Sequence, residues 1–197
     1  MDARSNESEA LHERARAVVQ AFDEGRAMPE SFDALAGDLA RFQARYVPGY
    51  AKLIAARGLD PARFVRAGDA PAVPTDAFKV ARVSAFGEQD TPITFRTSGT
   101  TVGARGSHPF RDAGTYERAA VSFARRTLLR GLPERVHVLV LGPSAKELPD
   151  SSLAHMNDAF VHAFGLPHDG DVFFLRDDIL DLAALDETVA RILVTSD

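Results

Sequence analysis

The chain of 197 residues contains neither cysteine nor tryptophan. Without thiols it has no disulfide, no thiolate metal site and no cysteine nucleophile. A long uninterrupted apolar run is also missing, and the N-terminal stretch MDARSNESEALHERARAVV starts polar and acidic. Neither a membrane span nor a signal peptide is therefore expected, and the expected location is cytoplasmic. Positive charge is in deficit: 23 Lys and Arg against 28 Asp and Glu leave a net charge of -5, with a pI near 5.7. Such an averaged field repels polyanions, so nucleic acid is not an expected partner, although arginines cluster between residues 105 and 135. There are no internal repeats, and the only linker-like tract is the Pro/Ala-rich GDAPAVPTD.

What is present suits a packed globular chain, with 45% hydrophobic and 26% charged residues. Leu11, Ala15, Val18, Val19 and Phe22 recur at helical spacing after Ser8, and Phe32, Leu35, Leu39, Phe42 and Tyr46 do so after Ser31, an N-cap residue type. A third helix is expected from Pro48 to a stop at Gly58, with Pro61 beyond it. From residue 71 the texture changes to Pro, β-branched and aromatic residues with turn signals, which predicts one or two short strands. DAGTYERAAVSFARRTLLRG then predicts a helix opened by Asp112 and closed by Gly131.

RVHVLVLGP reads as a buried strand, SSLAHMNDAFVHAFG as a helix, DVFFL as a strand and DLAALDETVARILV as a helix. This alternation implies an α/β fold with a mostly parallel sheet. The domain expectation is a helical region over 1–70 and an α/β region over 71–197. The closing βα pattern, with no strand after it, reads as cut rather than finished.

Between the short strands and the Asp112 helix lies TFRTSGTTVGARG, residues 94 to 106, with four threonines, one serine and three glycines. Glycine allows close approach to backbone amides, successive N–H groups can cradle an anion, and hydroxyls add donors or a magnesium ligand. These are the parts of a polyphosphate cradle, and equally the ordinary ingredients of a surface turn. The spacing is neither G-x-x-x-x-G-K-[ST] nor G-x-G-x-x-G.

Residue order narrows the reading. Thr97, Ser98, Gly99, Thr100 and Thr101, with Arg105 and Gly106 beyond, resemble the signature loop [ST]-S-G-T-T-G-x-P-K-G of adenylate-forming enzymes. Val102 stands where that family has Gly, and Ala104 and Arg105 where many members have Pro and Lys. AVPTDAFK, RDAGTYERA and DSSLAHMNDAFV around it are similar to the acyl-protein synthetase branch, the fatty-acid-activating component of bacterial bioluminescence fatty acid reductase. The likeness covers most of the chain after residue 71.

The resemblance implies part of an adenylate-forming large domain with ATP and Mg²⁺ as cofactors. A fatty or related carboxylic acid would be activated as acyl-adenylate and passed to an acceptor, with an acyl-accepting or reductase protein as partner. Thr97, Ser98, Gly99, Thr100, Thr101, Arg105 and Gly106 would hold the ATP phosphates, and Thr100 or Thr101 would reach the metal. The adenine pocket, the mobile lysine and the acyl-accepting cysteine of that family have no counterpart in the sequence. The chain is therefore expected to be an N-terminal portion that does not catalyse acyl transfer alone. The alternative is a non-catalytic binding module or degenerate relative acting through a protein partner.

Other residues carry two readings each. Lys79 either faces the ligand or lies on the surface, and His108 either contacts phosphate or caps a turn. His155 and His162 share a helix face near His168 and Asp169, without the H-E-x-x-H spacing of a zinc site. Ser151 and Ser152 read as a helix start rather than a nucleophile elbow.

Overall fold

A computed structural model of the chain describes residues 2–97, 105–167 and 169–195. It divides into two compact units, residues 1–122 and 123–197.

The first unit starts with α1 (Ala3–Glu24), capped by Asp2, whose carboxylate accepts the Ser5 N–H at 2.8 Å. The helix begins five residues before Ser8, because its first turn is polar and shows no apolar period; Ser8 itself is buried. It ends at Gly25, whose φ of 66° is the left-handed conformation glycine adopts without penalty. Next comes α2 (Phe32–Tyr46), its Ser31 hydroxyl accepting from Ala34 N as the cap residue type requires. Leu35 and Phe42 are buried as the apolar stripe predicts, but Phe32 is 78% exposed and Leu39 is 37% exposed. The buried face of α2 runs instead through Gly37 and Ala40. A Cβ on Gly37 would sit 2.6 Å from the Phe64 carbonyl oxygen, so only glycine lets the segment after α3 approach. That segment follows α3 (Pro48–Ala56), which has Pro at its first position and is followed by Gly58 at φ 62°.

Two apolar clusters hold this unit together. One joins Ala40, Val47, Tyr50, Ile54 and Phe64; the other joins Leu11, Leu35, Phe42 and Phe86. At the edge of α1 and α2, Arg14 bridges Glu30 and Asp38, and Arg41 bonds Asp38 as well. Burial raises the Asp38 carboxyl, but the hydrogen bonds from Arg14 and Arg41 outweigh it and hold Asp38 below its ordinary 3.8. Arg14 likewise holds Glu30 below 4.5. Both folded-state values are depressed, so this stabilisation is complete above the unfolded values and disappears as pH falls through the folded ones. Urea midpoints of wild type are expected to fall below about pH 5, with Asp38→Asn giving a shallower decline. Parallel curves for the two proteins would remove the cluster from the acid response.

The unit continues through α4 (Ala77–Val80) to an antiparallel hairpin of β1 (Ile93–Arg96) and β2 (Ser107–Phe110). Its register pairs Ile93 with Phe110, Phe95 with His108 and Arg96 with Ser107. Then follows α5 (Gly114–Arg126), with Asp112 Oδ1 accepting from Gly114 N at 2.6 Å. The boundary between the two units falls within this helix.

In the second unit α6 (Ser152–Phe164) is capped by the Ser151 hydroxyl, which accepts from Ala154 N. After it come β3 (Leu175–Arg176), β4 (Ile179–Leu180) and α7 (Leu182–Thr195). Helix and strand are thus mixed as expected, but the mostly parallel sheet is not what forms. Among the described residues both sheets are two-stranded and antiparallel. Parallel pairing is confined to single bridges, Val136 with Gly165 and Val140 with Phe173. The RVHVLVLGP run meets a different segment at each end, so neither pairing extends into a ladder. Past DVFFL, Asp177 and Asp178 both take positive φ, 48° and 62°, and fold the chain back so that β3 pairs with β4. Two successive positive-φ residues make the tight hairpin turn whose twist matches its strands, and Asp is among the few side chains that tolerate it. Phe174, with no exposed surface, is the best-buried large side chain of this unit.

Candidate functional site

The hairpin and the connector before it build the candidate site in the first unit. Arg82 anchors the connector by donating to the Phe86 carbonyl at 3.1 Å and to the Thr91 hydroxyl at 2.6 Å. Thr91 is 6% exposed, and its hydroxyl donates in turn to the Gly87 carbonyl, so this buried polar group is satisfied and fixes the entry into β1. Behind the hairpin, Phe95 packs against Phe110 at 5.2 Å and against Tyr116 of α5 at 6.0 Å between ring centroids. These edge and tilted contacts are the favoured aromatic arrangements and stiffen the base on which the loop stands.

The neck of the loop is closed by three hydrogen bonds. Thr97 N donates to the Gly106 carbonyl at 3.0 Å, Gly106 N donates to Thr97 Oγ1 at 2.9 Å, and Arg105 Nε donates to the Thr97 carbonyl at 2.7 Å. A Cβ at Gly106 would lie 3.2 Å from Thr97 Cγ2 and 3.6 Å from Phe78 Cβ, tight enough that a side chain there would push on the clamp. Of the residues assigned to ATP phosphates, Thr97, Arg105 and Gly106 are thus brought together at the two ends of one loop. Ser98, Gly99, Thr100 and Thr101 lie outside the described residues. Thr97 accepts from Gly106 through its hydroxyl oxygen while keeping its own proton to donate. Arg96 and Arg105 are exposed at this end of the hairpin.

Neighbouring candidates take structural positions. His108 on β2 stacks on Phe78 at 4.5 Å with 29° between the rings. The Lys79 ammonium pairs with Asp76 at 2.9 Å, and its side chain is 36% exposed. In the second unit Ser151 serves as the α6 cap, while the His162 carbonyl accepts from Arg135. His168 lies outside the described residues. Among the described residues no group of three or more His, Asp or Glu is placed to hold a metal ion. No helix there is long and apolar enough to cross a membrane.

One polar group near the hairpin is absent from the sequence reading. His12 Nδ1 lies 3.0 Å from Thr115 Oγ1, and Arg16 donates to the same oxygen at 3.4 Å, joining α1 to α5 across about a hundred residues of chain. No local motif signals a pair so far apart in sequence. Compared with family models, curated proteins and solved structures, the chain matches none.

Proposed function

We propose that residues 97–106 are the ATP phosphate loop of an acyl-adenylating ligase that activates a fatty or related carboxylic acid before transfer to an acceptor. The observation that carries this reading is the closed neck: Thr97 and Gly106 bond each other on both sides, at the two ends of the segment that carries Ser98, Gly99, Thr100 and Thr101 in sequence. The donor set fits a polyphosphate, because hydroxyls and glycine amides offer hydrogen bonds without steric obstruction and Arg105 adds a cation. Thr100 and Thr101 supply the oxygen ligands that magnesium favours. When bound, Mg-ATP supplies the phosphoanhydride whose pyrophosphate a carboxylate displaces. The chain's own contribution is to hold the phosphates and to stabilise the charge that develops on the departing group.

Mg-ATP binding to the full chain by calorimetry tests the reading, with Ser98→Ala and Thr100→Ala as variants. Each removes a hydrogen bond to a charged group, worth about 1.5 to 3 kcal/mol, so affinity is expected to fall at least about tenfold. Equal affinity in all three proteins, or no binding in any, would leave the non-catalytic binding module as the reading.

A further inference from the structure

The first unit has a second feature. A pocket of about 640 Å³ opens among α1, α2, the connector and the end of β2. This is inside the range of about 300 to 1,000 Å³ typical of small-molecule sites. Leu11, Phe42, Val47, Tyr50 and Phe86 give it an apolar wall. His12, Arg111 and Thr115 also line it, whereas Thr97, Arg105 and Gly106 do not.

Two of the polar lining groups meet directly. His12 bonds Thr115, and both His12 and Arg111 act electrostatically on the carboxyl of Glu9. Glu9 is not a lining residue, and its charge is taken chiefly by the hydrogen bond from Arg16, which holds its carboxyl below the ordinary 4.5. Asp112, the acid that does line the pocket, accepts the Gly114 N–H at the start of α5. The Arg111 guanidinium lies 4.4 Å over the Phe86 ring and, among the described residues, no carboxylate reaches it at ion-pair distance. A guanidinium on an aromatic face keeps its fork of N–H donors for a planar or tetrahedral anion. An apolar wall with a few convergent polar groups is the usual composition of a ligand site.

We infer that this pocket binds an amphiphilic anion, a ligand with an apolar body against the Leu11, Phe42 and Tyr50 wall and a single anionic head on Arg111. The inference goes beyond the reading of the loop and does not depend on ATP.

The probe is 1-anilinonaphthalene-8-sulfonate, an aromatic body with one sulfonate, added to the full chain without nucleotide. Saturable binding displaced by decanoate but not by decanol is the expected result. Arg111→Gln removes the charged hydrogen bond and is expected to weaken binding about tenfold or more. Ala72→Trp places a bulky ring at an exposed position of the lining and is expected to abolish it. Lys52→Gln, the loss of an exposed cation that does not line the pocket, is expected to leave it unchanged. Urea unfolding of each variant establishes that it is folded before it is scored. Non-saturating emission, equal displacement by decanol, or unchanged affinity in folded Arg111→Gln and Ala72→Trp would each overturn the inference.

Discussion

Truncating Phe64 to alanine is expected to destabilise the first unit by about 3 to 5 kcal/mol, the range for removing a buried aromatic ring. The ring is 2% exposed and packs with Ala40, Val47, Tyr50 and Ile54. The cluster around it is drawn mainly from α2 and α3, two helices that pack on each other, with Val47 between them. The site is poorly able to collapse, because the backbone of Phe64 is held in place independently of its side chain. Its carbonyl accepts from Arg41, and its N–H donates to the Pro61 carbonyl at 3.1 Å. A cavity that cannot shrink costs both the lost transfer energy and the lost contacts of its lining. Urea unfolding followed by far-UV circular dichroism should give a lower midpoint at an unchanged slope. Phe64→Leu, which keeps most of the volume, should retain a large part of the stability. A loss below about 1 kcal/mol for the alanine variant would mean that the ring does not sit in the core.

The second large effect is expected at Phe174, where alanine should again cost about 3 to 5 kcal/mol, this time within residues 123–197. Here side chain and backbone act at one point. The ring has no exposed surface, its N–H donates to the Val140 carbonyl at 3.0 Å, and its carbonyl accepts from Asp181 N at 2.8 Å. The residue thus fastens the parallel bridge between Val140 and Phe173 to the turn that leads into α7. Loss of the ring is expected to loosen both hydrogen bonds, so amide exchange at residues 174 and 181 should accelerate along with the fall in midpoint. Exchange unchanged at these two amides despite a lower midpoint would show that the backbone holds the bridge without help from the ring.

Sequence and structure agree where the signal is local. The Ser31 and Ser151 caps, Pro48 at the start of α3 and Gly58 after its end are written within a few residues of the features they fix. The start of α1 was not legible, because Asp2 caps a first turn without apolar residues. The strand pattern of RVHVLVLGP was legible as extended and apolar, but which segments it meets depends on α6 and on the Asp177–Asp178 turn. A period of two carries no information about that choice. Phe32 belongs to the apolar stripe by spacing yet lies open at the first position of α2, while Gly37, which no hydrophobic pattern marks, lies on the packed face.

The candidate site divides in the same way. The order Thr97 to Thr101 and the position of Arg105 and Gly106 could be read directly, since a loop and its two ends are contiguous in sequence. The pocket against Phe42 and Phe86 could not, because Leu11, Phe42, Phe86 and Arg111 reach it from four separate stretches of chain. Leu11 and Phe42 read as core-facing helix residues, and nothing in the sequence joined them to Phe86 and Arg111.

The hairpin neck also sets what can vary in descent. Thr97 and Gly106 are bound to each other just beyond the two strands, and a Cβ at Gly106 would lie 3.2 Å from Thr97 Cγ2, so substitution at either end presses on the clamp. Between these two ends a change of length costs little, because each doubling of a connection adds only about 0.6 kcal/mol of closure entropy. Insertions and deletions among related chains should therefore accumulate inside the loop and stop at its two ends. A lineage could alter the residues between these two ends without rebuilding the hairpin that carries them.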